Sequence, residues 1–136
     1  MAKISTDLKQ SKKLIELGLN PETADMYWEA SDPHGSHYTL GAGEHLAITS
    51  NLFSFREGLV VPAWSLSALL DIMPQHIDQS VGWQKFGLDK GWDGGIYQVY
   101  YENQNSFVEQ KAGEAVDAAY EMVCWLLRKG FIKKED

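Results

Sequence analysis

Between Glu114 and Lys129 the apolar residues Ala115, Ala118, Ala119, Met122, Leu126 and Leu127 recur at helical spacing. Val116, Tyr120, Val123, Cys124 and Trp125 fill most of the remaining arc, which leaves a thin polar stripe of Glu114, Asp117, Glu121 and Arg128. A helix that is apolar nearly all round must be covered on several sides. This segment is therefore expected to be the hub of the core. Gly130 supplies its stop, with Phe131 placed for the capping contact. Should part of the apolar circumference stay uncovered in the monomer, a homodimer would follow, because large exposed apolar patches are rarely tolerated.

Upstream the pattern changes period several times. Ser5, Thr6 and Asp7 offer N-cap chemistry for a helix to about Leu17, stopped by Gly18 with Leu19 folding back. Asn20-Pro21-Glu22 opens one short helical turn. Met26 to Ala30 and Ser36 to Leu40 read as short strands joined by the turn Ser31-Asp32-Pro33-His34-Gly35. Glu44 to Ser50 fits either a strand or a single turn, while Phe53 and Phe55 alternate with Ser54 and Arg56. Leu59, Val60 and Val61 form a buried-strand run ending at Pro62. Ser65 caps a helix from Leu66 to Met73, Trp64 staples onto Leu69, and Pro74 ends it.

Val81 to Leu88 and Gly95 to Glu102 read as paired strands. In the second, Tyr97, Val99 and Tyr101 share one face while Ile96, Gln98 and Tyr100 share the other. Asn103 to Ser106 is a polar break before the last helix. The expectation is one α+β domain over residues 1–136, without repeats or linkers. In it, a small antiparallel sheet of four to six strands packs against a largely buried C-terminal helix. The N-terminal helix and one short central helix complete the covering.

Composition narrows the class but not the function. A chain of 136 residues that is 44% hydrophobic can bury roughly two thirds of its unfolded surface. No apolar run approaches the roughly 20 residues that span a bilayer, and the opening MAKISTDLKQSKK lacks the apolar stretch of a secretory signal. A cytoplasmic location, away from membranes, is the expectation. The net charge of −7 repels phosphate backbones, so no nucleic-acid partner is expected. The single cysteine, Cys124, lies inside the apolar helix and reads as a small buried hydrophobe.

Candidate chemistry is sparse. Asp32, His34, His37, Glu44 and His45 form a histidine and carboxylate cluster, but no second ligand pair at recurring spacing accompanies it, so no metal is assigned. Whether these residues converge is left to the fold. The loop Asp89 to Gly95 is rich in glycine but lacks the Gly-Lys-Ser/Thr ending of a phosphate loop, and it leads into a strand. Trp92 at its tip either closes over the sheet as a lid or points outward as a binding anchor, and Trp92 with Asp93 is the candidate binding site. No nucleophile with a base and an orienting group stands out, and no catalytic residue or cofactor is assigned.

Four blocks carry a resemblance. They are Leu17-Gly18-Leu19 with Asp25-Met26-Tyr27-Trp28, then Val61 to Leu66, Leu69 to Pro74, and Asp117 to Leu127 with Gly130-Phe131-Ile132. In these the chain resembles small uncharacterised proteins of phages, prophages and mobile elements of gut bacteria. The resemblance implies a shared fold and a mobile-element origin but no activity, cofactor or site residue. The leading expectation is a non-enzymatic accessory protein that binds another protein or itself. The alternative is a small hydrolase-like enzyme using His34, His37 and His45, or His76, with nearby carboxylates.

Overall fold

The computed structural model describes residues 3–32, 34, 37–42, 59–80, 82–91 and 95–134. Asp7 opens α1 (Leu8–Glu16) with a reciprocal box: its carboxylate accepts the Gln10 N–H at 2.8 Å, and Gln10 Oε1 accepts the Asp7 N–H at 3.0 Å. The stop is the expected one. Gly18 takes φ 97°, and Leu19 N–H donates to the Leu14 carbonyl at 3.0 Å. A 3-10 turn follows at Pro21–Thr23, with the Asn20 side chain accepting the Glu22 N–H.

Strands β1 (Met26–Ala30), β2 (Tyr38–Ala42) and β3 (Val60–Ala63) form an antiparallel sheet in the order β2-β1-β3. The second strand begins two residues later than the expected Ser36. The third does not end at Pro62, which pairs with Tyr27 inside it. Proline fits there because, among the described residues, β3 is an edge of that sheet, where a missing N–H breaks no ladder. Residues 43–58, which carry the readings at Glu44 to Ser50 and at Phe53 and Phe55, lie outside the described residues.

Ser65 caps α2 (Leu66–Ile72) through its hydroxyl, and Asp25 holds that serine by its N–H and its Oγ. Past Pro74 the chain builds a second antiparallel sheet, a meander in the order β4-β5-β6-β7. Its strands are β4 (His76–Gln79), β5 (Gly82–Lys90), β6 (Tyr97–Glu102) and β7 (Phe107–Ala112). Two corrections follow. The polar break at Asn103 to Ser106 turns into β7 and not into the last helix, and the described residues form two sheets in place of one. Both missed strands are weakly patterned: β4 has one apolar residue, Ile77, and β7 turns Val108, Gln110 and Ala112 inward while Phe107 points out.

α3 (Ala115–Lys129) packs on β6, β7 and α2 and buries Val116, Ala118, Ala119, Met122, Val123, Cys124, Leu126 and Leu127. Its end repeats the device of α1. Gly130 takes φ 82°, Phe131 N–H donates to the Leu126 carbonyl at 2.9 Å, and the Phe131 ring stacks on Trp125. The chain is thus an α+β protein whose C-terminal helix is the hub, and one buried cluster joins it to α1, β3, α2 and the meander. Because the chain itself covers the hub, an exposed helix face does not supply the reason for a dimer.

The N-terminal segment closes the structure. Thr6 N–H donates to the Trp64 carbonyl at 2.8 Å, and Lys3 Nζ reaches Asp117 at 2.6 Å, Gln10 at 2.9 Å and Asp7 at 3.2 Å. Burial by itself raises the Asp117 carboxyl. The hydrogen bonds from Lys3 and Gln10 outweigh that and hold it below the ordinary carboxylate range. For Lys3, burial lowers the ammonium, but its bonds to Asp117 and Asp7 leave it raised.

Candidate interaction face

Period-two alternation gives the meander two unlike faces. Tyr97, Val99 and Tyr101 of β6 turn inward onto α3, flanked in register by Phe86 and Leu88 of β5 and Val108 of β7. Tyr101 is fully buried, and its hydroxyl donates to the Pro74 carbonyl at 2.7 Å. Burial pushes its phenol well above the usual tyrosine range. Among the polar inward positions Gln84 is fully buried: it accepts from Gln79 and donates to Ser106 Oγ at 2.9 Å, which satisfies it without water.

The outward face carries the aromatic residues that no core demands. Trp83 on β5 is 53% exposed and Phe107 on β7 is 49% exposed. Each has an aromatic neighbour on the same face. The His76 ring lies 4.9 Å from that of Trp83, and the Tyr100 ring lies 5.4 Å from that of Phe107. Gly87 makes room for this arrangement. A Cβ there would collide with the Tyr100 ring, so that ring lies across the glycine with its hydroxyl donating to Asp89 at 3.1 Å. The small burial there and the Asp89 bond raise the Tyr100 phenol.

Around these rings sit Asp78, Glu102 and Glu109 with Lys85 and Lys111. Glu109 accepts from Gln98 at 3.1 Å and pairs with Lys111 at 3.3 Å. The face is thus broad, aromatic and mildly acidic. Shape and composition of this kind suit a protein surface, where exposed aromatic side chains supply contact area at small entropic cost.

The residues singled out from the sequence fall elsewhere. Trp92 and Asp93 belong to the connection between β5 and β6, outside the described residues. So do Glu44 and His45 lie outside them. His34 and His37 are exposed near the β1–β2 turn, where the His37 carbonyl accepts the Ser31 N–H at 2.8 Å. Among the described residues no three His, Cys, Asp or Glu side chains gather as they would around a metal ion. His76 is at the far sheet, on the aromatic face. Buried Cys124 has its thiol pushed up by that burial.

A groove of about 670 Å³ runs between α1 and α3, lined by Asp7, Lys9, Gln10, Lys12, Lys13, Glu16, Tyr120 and Glu121. Its described lining balances three lysines against three carboxylates and holds no histidine. Sequence reasoning missed Trp83 and Phe107 for different reasons. Trp83 shares a strand phase with Lys85, a signal that was available. Phe107 lies on a strand whose pattern is hidden. Among the described residues no helix is long and apolar enough to cross a membrane. Compared with known proteins, the chain matches no family model, no curated protein and no solved structure.

Proposed function

We propose that this chain is a non-enzymatic accessory protein of a phage or mobile element, acting in the cytoplasm by binding another protein. The observation that carries the reading is the outward face of the meander, where Trp83 and Phe107 stand half-exposed beside His76 and Tyr100. Single exposed apolar residues are ordinary, whereas two aromatic pairs on one open sheet face are the make-up of a contact surface. Trp92 and Asp93, on the connection between two strands of that sheet, are proposed as further anchors. The mobile-element origin rests on the resemblance of the four sequence blocks alone. An acidic chain with an acidic rim on this face favours a protein partner over a nucleic acid.

The test is capture of a partner from lysate of the native host by tagged protein, with Trp83→Ala and Trp92→Ala as separate variants. Trp83→Ala is expected to abolish capture while shifting the melting temperature by no more than about 3 °C, as suits an exposed side chain. Equal capture by wild type and Trp83→Ala would refute the face, and no specific capture at all would refute the binding reading.

A further inference from the structure

The meander ends in β7, and among the described residues no strand pairs with its far edge. Within the β6–β7 hairpin, Asn103 N–H donates to the Ser106 carbonyl at 3.0 Å. Bonded and non-bonded pairs alternate along an antiparallel ladder. The register Glu102↔Phe107, Tyr100↔Glu109 and Gln98↔Lys111 therefore falls on non-bonded pairs. The backbone N–H and C=O groups of Phe107, Glu109 and Lys111 consequently point away from β6, along the edge that is unpaired among the described residues. A six-residue edge of this kind is a template for another strand.

The side chains say which strand. Two copies of β7 related by a two-fold axis pair antiparallel, and inward residues stay inward only when the axis passes through a residue. An axis at Glu109 sets that carboxylate against itself, and an axis at Lys111 does the same with two ammonium groups. An axis at Gln110 instead places Glu109 of each copy opposite Lys111 of the other, twice by symmetry. In the same register Val108 meets Ala112 on the inner face. It also brings together Glu109 and Lys111, both of which carry outward backbone groups, as a bonded pair. Like charges directly opposite disfavour the first two registers, and opposite charges favour the third.

We infer that β7 is a self-association edge: two copies of this chain join through their β7 strands, centred on Gln110, so that their four-stranded meanders run on as one continuous sheet. The aromatic faces of both copies then lie on the same side of that sheet. The inference stands apart from the binding of an outside partner, since it needs only this chain and turns on Glu109 and Lys111, not on Trp83. A single strand pair is a small interface, so the dimer is expected to be weak, on the order of 10–100 µM.

The experiment is sedimentation of purified full-length protein over a concentration series, for wild type, Glu109→Lys, Lys111→Glu and the double swap. Each single reversal turns two attractions into two repulsions and should weaken the dimer roughly tenfold or more. The double swap restores both attractions and should return it to near the wild-type affinity. Mixing the two single variants should also produce a heterodimer, because one copy then presents only lysines at the two positions and the other only glutamates. If a single variant fails to fold, the double swap decides. Wild type that stays monomeric at several hundred micromolar, or a dimer indifferent to the single reversals, would overturn the inference. A monomer that still loses its outside partner on Trp83→Ala would overturn the dimer alone.

Discussion

Thr6 is the position where loss of one oxygen should be felt most clearly. Its Oγ1 accepts the Trp64 N–H at 3.1 Å and shares a hydrogen bond of 2.8 Å with Ser11 Oγ. Trp64, Thr6 and Ser11 are all fully buried, so water is not at hand to replace a lost partner. Thr6→Val keeps the shape and removes the hydroxyl, which orphans a buried N–H and a buried serine hydroxyl together. Each orphan costs about 1–3 kcal/mol, and exchanging a buried hydroxyl for a methyl returns roughly 1 kcal/mol. The expected loss is about 1–5 kcal/mol. Ser11→Ala alone should cost about 1 kcal/mol, because Thr6 keeps its bond from Trp64. In the Thr6→Val background the same change removes an orphan, so it should be neutral or stabilising. Urea unfolding followed by tryptophan fluorescence reads all four corners of this cycle. A Thr6→Val loss below about 0.5 kcal/mol would refute the reasoning. So would a Ser11→Ala cost that is the same in both backgrounds.

Two further predictions concern the closing contacts. Asp117, held below its ordinary pKa, adds stability that is present above about pH 4, the unfolded value, and is lost as pH falls through the folded value. Lys3, held above its ordinary pKa, adds stability that is complete below about pH 10.4 and is lost as pH rises through the folded value. The pair should therefore give wild type an advantage of about 1 kcal/mol over Asp117→Asn between those limits, closing outside them; a difference unchanged at about pH 2.5 in urea melts would count against it. Tyr101→Phe should cost about 1 kcal/mol by leaving the Pro74 carbonyl without its donor, and Tyr101→Ala about 3–5 kcal/mol through the cavity under α3. Near-equal losses for the two variants would show that the hydroxyl, and not the ring, carries the stabilisation.

Local chemistry was legible wherever a signal is contained within a few residues. The N-cap at Asp7, the serine cap at Ser65, and the glycine stops at Gly18 and Gly130 are all short-range arrangements, and each forms as the sequence implies. The hub helix was legible too, because its apolar residues are dense enough to require burial on any fold. The alternation of β6 told Tyr101 from Tyr100, and the structure puts the first in the core and the second on the open face. What stayed hidden depends on neighbours that are distant in the chain. Gln84 is buried because Gln79 and Ser106 satisfy it, a fact no local pattern contains. β4 and β7 are strands because β5 and β6 offer them ladders, which outweighs their weak apolar content. Among the described residues, the partition into two sheets, the gathering of Trp83, His76, Tyr100 and Phe107 on one surface, and the edge position of β7 follow from pairing order. Pairing order is set by non-local hydrogen bonds and packing, so only the tertiary structure decides it.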